Sequence, residues 1–125
     1  MYTVNLISII FSFLAALEHL YILYLETFIT QSNKTSKVFN ISEEKLKDKN
    51  VSTLLKNQGV YNGLIAVLLF ISIFRNDIFW MRLLLLYIIL VAIYGGISSD
   101  PKIIFKQGGL AMFGLICSLF WENES

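Results

Sequence analysis

The chain has little of what soluble enzymes are built from. One cysteine in 125 residues, Cys117 in the apolar run MFGLICSLF, excludes a disulfide framework and a cysteine metal site. One histidine, His19, has no second histidine at ligand spacing, so the carboxylates near it make no metal site. The chain has no nucleophile pattern, no phosphate-binding loop and no HExxH, so nothing supports hydrolysis and no cofactor is expected. Its basic residues are mostly lysines gathered in one segment without interleaved aromatics, which sets nucleic acid aside. The first apolar run lacks a basic leader and is too long for a cleavable signal peptide.

What is present is apolar. Hydrophobic residues make up 56% of the chain and its mean hydropathy is +0.67, far above a soluble domain, so most of it belongs in a bilayer. A hydrocarbon core of ~30 Å asks for about 20 apolar residues per helix. Four windows meet this or nearly do: 2–28, 59–74, 78–97 and 103–121. The expected fold is all-α, one domain over 1–125, a four-helix transmembrane bundle with a loop over about 29–58. That loop and the third connection carry all eight lysines, against Arg75 and Arg82 on the other side. By the positive-inside rule both termini are then outside, the 29–58 loop is cytoplasmic, and the protein is multi-pass in a cell membrane. Tyr2, Trp80 and Trp121 would form an outer aromatic belt, Arg82 could snorkel to the same level, and the acidic ENES tail would trail outside. Within the loop, Ser42 followed by Glu43 and Glu44 reads as the start of a short helix leading into the second span. Leu46, Val51, Leu54 and Leu55 suggest that this helix lies on the inner membrane surface.

The stretch AALEHLYILYLETF breaks the apolar pattern of the first span. Stepping in sevens, Asn5, Ser12, His19 and Glu26 fall on one line, since seven residues at ~100° each end only ~20° short of two turns. That polar stripe cannot face lipid, and Ala15 and Ala16 beside it allow close helix approach. Glu18 lies at the edge of the same face. Given the orientation, Glu26 sits near the inner edge, where the second span starts with Asn57, Gln58, Tyr61 and Asn62. The third span ends there with Tyr94, Gly95 and Gly96, and the fourth begins there with Lys106 and Gln107. Asn57 and Tyr61 share one helical face, and Gln58 and Asn62 share the next. Polar groups of four helices are thus expected to meet in the inner half of one bundle, the outer half being almost bare of them.

An ionisable group at the centre of a spanning helix costs roughly 2.5–3.5 kcal/mol, so Glu18, His19 and Glu26 need pairing, water or protonation. A carboxyl beside an imidazole could exchange a proton with it near neutral pH. The alternative is a polar clasp of His19 and Glu26 with Asn57, Gln58 and Tyr61 that sets helix register and binds nothing. Gly59 and Gly63 in GVYNG read as helix packing, as do Gly114 and Ser118, and either pair could serve a homodimer. Tyr87 and Tyr94 suit either a core position with hydroxyls toward the site or interface anchoring.

The segments EHLYILYLETF, KVFNIS, NQGVYNGLIAVLL, VAIYGG and KQGGLAMFGL resemble, in order and spacing, the small four-helix bacterial membrane family known as the domain of unknown function numbered thirteen hundred and four. The resemblance implies a four-helix protein of the bacterial cytoplasmic membrane and marks His19, Glu26, Asn57, Gln58, Gly59, Tyr61 and Asn62 as motif positions. It implies no activity. Thr27, Thr30 and Leu110 depart from the family pattern.

Three functions compete. The first is binding or transport of a small amphipathic or lipid-soluble molecule, open to proton coupling, through Glu18, His19, Glu26, Asn57, Gln58, Tyr61, Asn62, Tyr94 and Gln107. Size, helix count and a first-helix glutamate also resemble the small multidrug exporters, by analogy only. The second is a membrane-embedded acid–base enzyme, isomerase-like, on a lipid-soluble substrate. The third is a structural or partner-binding membrane protein.

Overall fold

The computed structural model describes the backbone at residues 2–3, 5–120 and 123–124, and the side chains of residues 5–119. Trp121, Glu122 and Ser125, part of the expected aromatic belt and acidic tail, lie outside the described residues, as does the side chain of Tyr2. Six helices follow one another: α1 (Leu6–Leu23), α2 (Asn33–Phe39), α3 (Glu43–Leu46), α4 (Lys49–Phe74), α5 (Ile78–Ser98) and α6 (Lys102–Phe120). α1 continues through a π-helical turn at Tyr24–Phe28. Two-residue strands, β1 (Tyr2–Thr3) and β2 (Asn123–Glu124), pair antiparallel and bring the chain ends side by side. Four helical stretches, Leu6–Phe28, Lys49–Phe74, Ile78–Ser98 and Lys102–Leu119, are long and apolar enough to cross a membrane.

The chain divides into two compact units, residues 1–18 with 67–125, and residues 19–66. In the first unit, the side chain of Asn5 starts α1 by accepting the Ser8 amide at 2.8 Å, while its Nδ2 donates to the Cys117 carbonyl at 3.1 Å. Phe11 stacks on Phe113 and Phe13 meets Phe70 edge-on, with centroids 5.5 and 5.1 Å apart. α5 and α6 pack along each other, with Leu85, Ile88, Ala92 and Ala111 buried. The turn into α5 uses Asn76 in the left-handed region, φ 53°, and Asp77, whose carboxylate accepts the Trp80 amide at 3.2 Å.

The same unit holds a polar contact of its own between α5 and the end of α6. Arg82 reaches the end of α6. It is half-buried, its Nη2 donating to the Ser118 carbonyl at 2.6 Å and its Nε to Ser118 Oγ at 3.1 Å. The reason lies in α6: its last carbonyls have no intrahelical amide, and Asn5 and Arg82 supply donors to two of them. Tyr87 and Tyr94 are exposed rather than core.

In the second unit the 29–58 connection is largely helical. Ser32 caps α2 by accepting the Thr35 amide at 3.1 Å, and Asn40 ends it in the left-handed region, φ 55°. Ser42 caps α3 as expected, accepting the Lys45 amide at 3.2 Å. That helix stops after one turn, and Asp48 begins α4 ten residues before the expected start at Gly59, accepting the amides of Asn50 and Val51 at 2.9 and 3.1 Å. The apolar positions of this stretch do not share one outward face. Leu46 and Leu55 are buried, while Leu54 is 68% exposed.

Candidate functional site

The polar stripe of α1 is buried along its length: Asn5, Ser12, His19 and Glu26 all lack meaningful exposure, as do Ala15 and Ala16. Ser8, unremarked in the sequence, belongs to the same face and is equally buried. Glu26 stands in the π-helical turn, a feature that concentrates at functional positions. The turn is closed by the Ile29 amide bonding to the Tyr24 carbonyl at 3.1 Å. Threonine hydroxyls stand in for backbone donors around it. Thr30 donates to the Glu26 carbonyl at 2.6 Å, and buried Thr35 lies 2.9 Å from the carbonyls of both Leu25 and Ile29.

α4 approaches this turn at Gly59 and Gly63. A Cβ on Gly59 would overlap Thr27 Oγ1 and stand 3.0 Å from the Glu26 Cβ, and one on Gly63 would stand 2.7 Å from Leu23 Cδ2. Thr27 fastens the same crossing by donating to the Lys56 carbonyl at 2.9 Å. The small residues thus do the packing expected of them, inside the chain. Thr27 and Thr30, two of the departures from the family pattern, help to hold the backbone around Glu26.

With that face of α4 drawn in, the helix phase decides which polar residues reach Glu26. Gln58 Nε2 donates to one carboxylate oxygen at 2.8 Å and Asn62 Nδ2 to the other at 2.8 Å. Asn57 and Tyr61, about 100° around the helix, are exposed, Tyr61 by 73%. The Glu26 carboxyl itself has 0% exposure. His19, buried in the same unit, makes an interaction of its own. Of the nine residues singled out in the sequence, Glu26, Gln58 and Asn62 are brought into direct contact.

Glu18, Tyr94 and Gln107 belong to the other unit. Glu18 is half-buried, and its buried Oε1 has no hydrogen-bond partner. Gln107 is half-buried, and Tyr94 is exposed. Among the described residues no cluster of three or more histidine, cysteine or acidic side chains could hold a metal.

Chemically, the three contacting side chains suit either protonation state of Glu26. Ionised, it is acceptor-only and takes both amide N–H groups. Protonated, it needs an acceptor, and either amide can turn its carbonyl oxygen inward to provide one. Gln58 is exposed and Asn62 partly so, which leaves both amides room to turn.

The chain is similar to the uncharacterized protein YpaA of Lactococcus lactis subsp. lactis (strain IL1403), with 53% identity over 118 residues, covering 93% of this chain and 99% of that protein. No solved structure matches it. Residues 13–119, which carry α1 from Phe13, the Glu26 contacts and nearly all of α6, match the family described as "Protein of unknown function (DUF1304)", and the chain belongs to that family.

Proposed function

We propose that this chain is an integral membrane protein that binds or transports a small amphipathic or lipid-soluble molecule at Glu26, in a form that can be coupled to protons. The observation that carries the reading is a carboxyl with no exposure, set in a π-helical turn of an apolar span and held through two side-chain amides that can move. An ionisable group buried within a spanning segment is retained at a cost, which is the usual mark of a substrate or proton site. In this reading a ligand or proton exchanges with the Gln58 and Asn62 amides, and Asn57 and Tyr61 on the exposed side of the same turns form its approach.

The sidedness of the site follows from charge. Eight lysines lie on the side of the α1–α4 and α5–α6 connections and two arginines lie on the other, so both termini are outside the cytoplasmic membrane. α4, 26 residues and about 39 Å long, exceeds a ~30 Å hydrocarbon core, so its first turns with Lys49 project into the cytoplasm and Gln58 lies near the inner edge. A Glu44→Cys residue in a Cys117→Ser background should resist an impermeant maleimide in intact cells. Labelling there would reverse the sidedness.

One observation favours a structural clasp instead: both Glu26 oxygens already have partners. Glu26→Gln and Glu18→Gln separate the readings, because they keep shape and remove the charge. Thermal stability in detergent is compared with binding or proton flux in proteoliposomes, over a panel of hydrophobic cations, lipids and quinones. Loss of binding or flux at unchanged stability is expected for Glu26→Gln. If the parent binds nothing in the panel and the variants only melt earlier, the clasp is structural.

A further inference from the structure

Where α4 ends and α5 begins, the chain forms a cleft of about 450 Å³, within the roughly 300–1,000 Å³ of small-ligand sites. Its walls are Leu68 and Ile71 of α4 and Leu84 of α5. The one hydroxyl among them, on buried Ser72, is spent on its own helix, donating to the Leu69 carbonyl at 2.7 Å. The walls therefore offer no hydrogen to a polar ligand and take hydrocarbon. Leu68 and Ile71 remain half-exposed, so the cleft opens sideways along the helices, where a spanning chain meets lipid tails.

The mouth differs from the walls, being made by Arg75, Asp77 and Trp80. Asp77 is committed to the start of α5, where its carboxylate accepts the Trp80 amide and faces the positive end of the helix. Arg75 follows the last residue of α4, is exposed, and presents a fork of N–H donors suited to phosphate. Trp80, half-exposed, has the apolar body and polar N–H that suit headgroup depth.

We infer that this cleft binds an anionic glycerophospholipid, one acyl chain between Leu68, Ile71 and Leu84 and the phosphodiester on the Arg75 guanidinium. The inference goes beyond the Glu26 reading and is independent of it, since every residue used lies in the unit that does not contain Glu26. The test is native mass spectrometry of protein released from nanodiscs of equal phosphatidylglycerol and phosphatidylcholine. Phosphatidylglycerol should be retained preferentially. Arg75→Gln should lower that preference about fivefold, the worth of one cation at a membrane surface, with Arg75→Lys keeping most of it. Leu68→Trp fills the cleft from a half-exposed wall and should remove retention of both lipids at unchanged thermal stability, and Ile71→Trp repeats the test from the next turn. Equal retention of the two lipids, or a preference that survives Arg75→Gln, overturns the inference.

Discussion

The two buried polar clusters of this molecule hold different kinds of partner. Arg82 and Asn5 donate to main-chain carbonyls, those of Ser118 and Cys117. Both lie in the last turn of α6, where carbonyls are left without helical amides, so these two side chains complete a helix end. Glu26 instead meets the side chains of Gln58 and Asn62 in the middle of α4, where the backbone is already satisfied by the helix. The first cluster has a structural task that accounts for its polarity. The second has none of that kind, and its partners can turn away without opening a helix. That contrast is why Glu26, rather than Arg82, carries the proposed function.

The largest expected effect comes from the glycines beside each cluster. Gly59→Ala drives a Cβ into Thr27, which is itself bonded to the Lys56 carbonyl, and overpacking of this kind costs about 1–3 kcal/mol. Gly114→Ala meets Ser12 Oγ at 3.2 Å and Leu85 Cδ1 at 3.4 Å, contacts that side chains absorb, so its cost should stay under about 1 kcal/mol. Equilibrium unfolding in mixed micelles reads both, and equal losses would mean that the α1–α4 crossing is no tighter than the other.

Next in size are the clusters themselves. Glu26→Ala leaves two amides without their acceptor, but both are open in part to water, so the cost should be about 1–2 kcal/mol. Ser118→Ala removes one acceptor from Arg82 while the carbonyl bond remains, and should cost about 0.5–1.5 kcal/mol. A double-mutant cycle of Glu26→Ala with Asn62→Ala should give a coupling of roughly 0.6–1.7 kcal/mol. No coupling would dissolve the clasp.

The smallest stability effects belong to the outward face of α4. Asn57→Ala and Tyr61→Phe should change stability by less than about 0.5 kcal/mol, because both residues are exposed. If they form the approach to Glu26, ligand binding falls in the same variants. Large destabilisation by either would show that they pack against something.

The spans and the buried stripe were legible in the sequence because their signals are local and periodic. Apolar windows near twenty residues and a seven-residue polar step need only helix geometry to interpret. The cap at Ser42 was legible for the same reason, whereas the early start of α4 was not. Residues 49–56 read as the continuation of the Ser42 helix, and the Asp48 cap that starts α4 competes with the Ser42 signal just upstream. The structural use of Thr27, Thr30 and Thr35 was hidden too, since a hydroxyl that replaces a backbone donor is recognisable only once the carbonyl it meets is known.

By itself, then, the sequence determined that four stretches are long and apolar enough to span a membrane, that one face of the first is polar and buried, and that Gly59 and Gly63 admit a neighbouring helix. Periodicity and residue size decide such things within a single helix. Only the tertiary structure decided between the two polar faces of α4. Asn57 with Tyr61 and Gln58 with Asn62 are equivalent in spacing, and the choice was made by the rotation of α4 that seats Gly59 on Thr27. That rotation also carries Gln58 and Asn62 to the two oxygens of Glu26. A rotation about a helix axis is set by what lies on the other side of the contact, and it leaves no trace in the order of residues along one strand of sequence.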